Sequence, residues 1–180
     1  AQYLARRLSE LGITLYHQTT VGDNPARMRE VLFRAVRRAD IIITTGGLGP
    51  TMDDITKEII AEALGLPMER REEAIGAIRT YFASTGRIMT ENNLRQADFP
   101  KGAHLLANRK GTALGCVVEA AGKLVAALPG PPFELQDMYE QALYPYLAAR
   151  SDSTFTTRYL NVYGMGESQV EDKIKDIIAA

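Results

Sequence analysis

The feature that most limits the fold is an apolar run that empties into a glycine loop and re-emerges as a helix. Residues 40–44 hold three consecutive isoleucines with no polar alternation. That is the pattern of a parallel strand covered on both faces. Gly46, Gly47 and Gly49 follow at once. Ile55, Ile59, Ile60, Ala63 and Leu64 then recur at helical spacing, and Gly65 ends the run. This strand–loop–helix unit predicts an α/β fold, in which ligands bind outside the carboxyl ends of the strands.

The rest of the chain fits around that unit. Tyr3, Leu4, Leu8 and Leu11 share a helical face stopped by Gly12, and residues 13–16 read as a short strand. Asp23, Asn24 and Pro25 start a helix buried through Met28, Val31, Leu32 and Ala35. Ala74, Ile75, Ile78, Tyr81 and Phe82 mark another, and residues 90–97 a short polar one. Strands are predicted at 103–106, 114–119 and 124–128, the last two joined by a hairpin turn at Ala121-Gly122. A stiff Pro129-Gly130-Pro131-Pro132 loop leads into a helix over 133–147. Ser151-Asp152-Ser153 reads as a linker, followed by a strand over 155–162 and a helix over 167–178.

Composition removes several function classes. At 180 residues and 46% hydrophobic content the chain can bury a core without disulfide or metal staples. A net charge of −1 offers no basic excess for a polyanion, so nucleic acid is disfavoured as a partner. The single cysteine, Cys116, permits no internal disulfide, in keeping with a cytoplasmic address. No apolar run is long enough to span a bilayer, and no signal-peptide pattern is visible. His17 and His104 lack metal-ligand spacing, and Cys116 sits in an apolar strand pattern as inert core.

Five segments carry chemistry. Gly46, Gly47, Gly49 and Thr51 form a loop where backbone amides at a helix N-terminus can hold an anion, though neither the triphosphate nor the dinucleotide fingerprint is present. Turn-making and capping alone would also use these residues. Asp53 and Asp54 could hold Mg²⁺ or a similar divalent ion together with ligand oxygens, or one could cap the helix. Lys57 lies just beyond. Asn92 and Gln96 could read a base, ribose or pterin edge, or belong to a solvated helix face. Asn108, Arg109, Lys110, Gly111 and Thr112 suit a phosphate, or a polar loop tip. Gly130, Pro131 and Glu134 open a second helix and give a second preformed N-terminus, where Glu134 also complements the dipole, or they serve turn-making alone.

Read in order, Thr45-Gly46-Gly47-Leu48-Gly49-Pro50-Thr51-Met52-Asp53-Asp54-Ile55-Thr56 resembles the signature of the CinA family (competence/damage-inducible protein) in its N-terminal molybdopterin-binding-like domain. The likeness continues through residues 91–97, 108–113 and 128–134. The tail at Tyr163-Gly164-Met165-Gly166-Glu167-Ser168 resembles the start of the family's KH-like segment. The resemblance implies a three-layer αβα domain of the MoaB/MogA type with a mostly parallel sheet over residues 1–150. A short, incomplete βα segment over 151–180 would follow. It also implies metal-dependent hydrolysis of the pyrophosphate of ADP-ribose or a related nucleotide sugar. Asp53, Asp54 and Lys57 would then be catalytic, with Asp53 and Asp54 on the metal. Two alternatives stand beside it: molybdopterin binding or adenylyl transfer in molybdenum-cofactor synthesis, and a noncatalytic interaction module linked to competence or DNA damage. The expected partner is a phosphorylated small molecule of ADP-ribose or pterin type, within a bacterial homo-oligomer. The family's nicotinamide-nucleotide amidase domain has no counterpart here.

Two departures accompany the likeness. The family pattern opens with a strand and a Gly-Thr-Glu-Leu-Leu-type segment, so this chain is expected to lack that first strand. The tail shows no RNA-binding G-x-x-G, and residues 151–180 carry three cations against five carboxylates, which speaks against nucleic acid there.

Overall fold

A computed structural model describes residues 1–150 and 161–178. They fall into two compact units. One comprises Leu15–Asp152; the other comprises Ala1–Thr14 with Ser153–Ala180.

In the larger unit, α2 (Pro25–Arg38) starts as its sequence dictates. Pro25 occupies the first turn, and Asn24 caps it by accepting from Arg27 N at 3.0 Å. Strand β1 (Ile41–Thr45) follows, then α3 (Thr56–Leu64), which Gly65 closes in the left-handed conformation. After β2 (Met68–Arg70) comes α4 (Glu72–Thr85), then a 3-10 helix over Glu91–Ala97. Asn93 and Thr90 cap that 3-10 helix reciprocally. Next come β3 (Asp98–Pro100), β4 (His104–Leu106), β5 (Gly115–Ala120) and β6 (Lys123–Leu128).

The main sheet runs β1-β6-β5-β4. Its β1/β6 pair is parallel, with Thr45 opposite Leu128; β6/β5 and β5/β4 are antiparallel. The β5–β6 turn uses positive φ at Ala121 and Gly122, the geometry a two-residue hairpin favours. Helices α2, α3 and α4 bury Leu32, Ile59, Ile60, Ala74, Ile75 and Ile78 in one core with Ile42, Cys116, Val118 and Val125 of the sheet. Gly115 is required within that packing, because a Cβ there would lie 2.6 Å from the Ala127 carbonyl oxygen.

Four elements differ from the sequence-based expectation. Residues 13–16 form no strand: Leu15 and Tyr16 are exposed, and among the described residues no ladder takes them up. β1 is parallel but lies at an edge of the described sheet, so Ile41 and Ile43 are only half-buried and Ile42 alone is covered. The helix expected over 133–147 is broken into α5 (Pro132–Met138), a π-helical turn at Tyr139–Leu143, and α6 (Tyr144–Ala148). Pro145 has no amide hydrogen to continue a regular ladder, which favours such an adjustment. The antiparallel β2/β3 pair was not foreseen; each strand is three residues long, too short to show alternation.

In the smaller unit, α1 (Gln2–Ser9) buries Leu4 and Leu8, and α7 spans Glu167–Ile178 as the tail pattern predicted. The linker expected at 151–153 and all but the last two residues of the strand expected over 155–162 lie outside the described residues. Asn161 and Val162 belong to no element. No helix among the described residues is long and apolar enough to cross a membrane.

Candidate functional site

The sheet register brings three loops to one end. The loop of residues 46–55 leaves β1 after Thr45, and the loop of residues 129–131 leaves β6 after Leu128, its register partner. Gly115, opposite Leu106, begins β5, so the β4–β5 loop of residues 107–114 lies at that same end. Gly46 N donates to Leu128 O at 2.9 Å, and Gly130 packs against Gly46 so closely that a Cβ on it would lie 3.5 Å from the Gly46 Cα.

The first loop is shaped by its own side chains. Gly46 and Gly47 take positive φ, which residues with a Cβ rarely do. A side chain at Gly47 would also strike the Thr56 hydroxyl, which donates to Gly46 O at 2.9 Å. At Gly49 a Cβ would sit 2.5 Å from Asp54 Oδ2. That oxygen accepts from Thr51 N at 3.0 Å and lies 2.5 Å from Thr51 Oγ1. Asp53 Oδ1 approaches the same hydroxyl. One hydroxyl carries one proton, so two carboxylates converge on a single donor. The Thr51 hydrogen bond holds the exposed Asp53 carboxyl below its ordinary range. Neither Asp caps α3. Its N-cap is Ile55 with no side-chain bond; Thr56 N donates instead to Gly47 O at 3.3 Å, tying the start of the helix to the loop.

Lys57 does not reach into the loop. Its side chain is buried, Nζ donating to Gln96 O at 2.8 Å and sitting 4.0 Å from the centre of the Phe99 ring. Burial pushes this ammonium down to about 8. Burial likewise pushes the Cys116 thiol up to about 12, so Cys116 is a neutral core residue.

Gln96 bridges two loops. Its Nε2 donates to Thr112 Oγ1 at 3.2 Å and faces Leu48 O at 3.5 Å, while Oε1 is buried with no hydrogen-bond partner among the described residues. Asn92 is exposed, and among the described residues no side-chain bond ties it to the loops. In the β4–β5 loop, Asn108 Nδ2 donates to Ala113 O at 2.9 Å and to Glu134 Oε2 at 2.7 Å. Gly111 packs against that carboxylate. Arg109 grips Asp137 through two nitrogens at 2.8 and 3.1 Å, and Lys110 is exposed. Pro131 is exposed ahead of α5.

Thus Gly46, Gly47, Gly49, Thr51, Asp53 and Asp54 meet Gln96, Thr112, Asn108, Gly111, Gly130 and Glu134 at one end of the sheet. Sequence reasoning missed two residues here. Thr56 pins Gly46. Arg95 donates to Thr51 O at 3.0 Å, approaches Met52 Sδ at 3.1 Å and pairs with Glu58 at 3.5 Å. The available signal for Arg95 was its place immediately before Gln96. Among the described residues no group of three or more His, Cys, Asp or Glu could hold a metal unaided. A divalent ion would draw on Asp53, Asp54 and ligand oxygens, a donor set that suits Mg²⁺.

The model of the family described as "Probable molybdopterin binding domain" matches residues 1–149. A protein of Thermoanaerobacter pseudethanolicus named as competence-damage inducible is 48% identical over 99% of this chain and 43% of its own length. A CinA-like protein of Kosmotoga olearia is 46% identical over the same shares. The chain therefore spans less than half the length of these relatives. Among solved structures, the protein CinA from Thermoplasma acidophilum, described as of unknown function, matches with a TM-score of 0.73 and 27% identity over 81% of this chain and 85% of that one. A molybdenum cofactor biosynthesis protein B matches at 0.53 and 18% identity over 83% and 81%, a likeness of fold alone.

Proposed function

The chain belongs to the molybdopterin-binding domain family, with CinA-like relatives, and on that premise we propose that its three loops bind a phosphorylated nucleotide and cleave its pyrophosphate with a divalent metal. ADP-ribose is the substrate type in view. The observation that carries this reading is the convergence of Asp53 and Asp54 on Thr51 Oγ1 beside a loop of three glycines.

In this reading the ligand's phosphate lies against the backbone of residues 46–51, where glycines admit close approach and the nearby N-terminus of α3 favours an anion. Asp54 fixes the loop through Thr51 N and would be left with its other oxygen to help hold the ion. Asp53, more exposed and held ionised by Thr51, is the readier metal ligand. A divalent ion there would supply charge neutralisation and a water of lowered pKa. Lys57 acts from beneath, holding the Gln96 backbone and adding positive field without touching the phosphate. Gln96 keeps the glycine loop and Thr112 in register. Lys110 is the cation with freedom to reach a phosphate from the β4–β5 loop.

A second reading is favoured by the family's own description: the same loops hold a molybdopterin phosphate and no hydrolysis follows. Calorimetric titration separates the two. The first expects saturable binding of ADP-ribose that tightens with Mg²⁺. Silence with ADP-ribose and tight molybdopterin binding would replace it with the second.

A further inference from the structure

One carboxylate at the site is held in place by more structure than a loop contact requires. Asn108 spends its amide completely: Nδ2 gives one hydrogen to Ala113 O and one to Glu134 Oε2, while Oδ1 accepts from Lys110 N at 2.9 Å. Its orientation is therefore unambiguous. On the other flank the lack of a side chain at Gly111 lets the Glu134 carboxylate lie close against the loop. A Cβ there would lie 2.7 Å from Glu134 Cδ and 3.0 Å from Asn108 Nδ2. These two residues fix Glu134 Oε2, while Oε1 has no hydrogen-bond partner among the described residues. The nearby guanidinium does not neutralise the group, since Arg109 turns away to Asp137.

The site is thus two-ended. The glycine loop offers backbone donors and suits an anion. The Glu134 end offers a fixed, charged acceptor, which repels phosphate and attracts a hydroxyl or N–H. The geometry points to Glu134 as a specificity residue that accepts a hydrogen bond from the organic part of the ligand, a sugar hydroxyl or a ring N–H, with Asn108 and Gly111 as its positioning residues. This rests on the phosphate-ligand reading above. It adds which end of the ligand faces which loop.

The test is calorimetric titration of wild type, Glu134→Gln and Asn108→Ala with ADP-ribose, molybdopterin and inorganic pyrophosphate. Glu134→Gln keeps the side chain's size but can turn a donor toward the ligand. Loss of a hydrogen bond to a charged group predicts roughly tenfold or greater weakening of the organic ligand. Pyrophosphate, which lacks the organic part, should bind Asn108→Ala within about twofold of wild type on the same reasoning, and Glu134→Gln as tightly or more tightly, because a charge that repels it is gone. Asn108→Ala should weaken the organic ligand too, and add little in the Glu134→Gln background. An effect confined to ADP-ribose assigns a hydroxyl; one confined to molybdopterin assigns a ring N–H. Wild-type affinity in Glu134→Gln overturns the assignment. So does equal loss of pyrophosphate, which would mark general damage to the loops. If wild type binds none of the three ligands, the phosphate-ligand reading falls and Glu134's role falls with it.

Discussion

Replacing Lys57 with Met removes a charge the fold holds in its interior, and the pH dependence of stability should reveal it. The Lys57 ammonium falls from 10.5 to about 8 because burial disfavours the charged form. Below pH 8 both folded and unfolded chains carry this proton, and the folded state bears a penalty of about 3 kcal/mol relative to the neutral amine. Between pH 8 and 10.5 the folded chain loses the proton while the unfolded chain keeps it, so stability rises with pH. From pH 8 to 9 the gain is about 1 kcal/mol. Cys116 works in the opposite sense. Its thiol is raised from 9.0 to about 12, so above pH 9 the unfolded chain ionises first and stability falls. Wild type should therefore gain stability from pH 8 to 9, flatten toward 10.5 and decline beyond. Urea unfolding followed by far-ultraviolet circular dichroism at pH 7.5, 8, 9 and 10 measures this. Comparison with Lys57→Met cancels the titrations the two proteins share. Lys57→Met should lack the rise, and Cys116→Ala should extend it toward pH 10.5. Parallel curves for wild type and Lys57→Met between pH 8 and 9 would mean that folded Lys57 does not lose its proton in that range.

Other substitutions test the loop geometry. Gly49→Ala drives a Cβ to within 2.5 Å of Asp54 Oδ2; it should displace that carboxylate and weaken Mg²⁺-dependent ligand binding on the order of tenfold, as loss of a charged contact does, read by calorimetry. Gly115→Ala meets the Ala127 backbone oxygen and should cost about 2–3 kcal/mol in urea unfolding, the range for overpacking a core. Thr56→Val removes the bond to Gly46 O and should cost about 1 kcal/mol or somewhat more, with ligand affinity falling in parallel as the loop loosens.

What could be read from the sequence depended on whether neighbouring residues decide the outcome. The β1–loop–α3 unit was legible because an apolar run, three glycines and helical spacing all act within twenty-odd residues. Gly65 ending α3 and Asn24-Pro25 opening α2 are local in the same sense. The π-helical turn at Tyr139–Leu143 was less legible: Pro145 disfavours a regular ladder there, but whether the helix ends, kinks or takes a π turn is decided by the burial of Tyr139 and Leu143. Residues 13–16 have strand-like composition, yet a strand exists only with a neighbour to pair with. The site residues were named individually, but which of them meet is a matter of sheet register. Lys57 is instructive: its spacing to Ile60 and Ala61, three and four residues on, put it on the buried face of α3. Its charge alone suggested a group facing the ligand.

Under the proposed function, Asp53 and Asp54 serve metal-dependent phosphate chemistry at the glycine loop. Steady-state turnover of ADP-ribose by the full-length protein with and without Mg²⁺, in wild type and in an Asp53→Asn/Asp54→Asn double variant, decides whether they do. Metal-dependent product formation that the double variant loses by roughly a hundredfold or more, the scale of removing a transition-state charge stabiliser, is the predicted result. Equal turnover by the two proteins would remove these carboxylates from the mechanism.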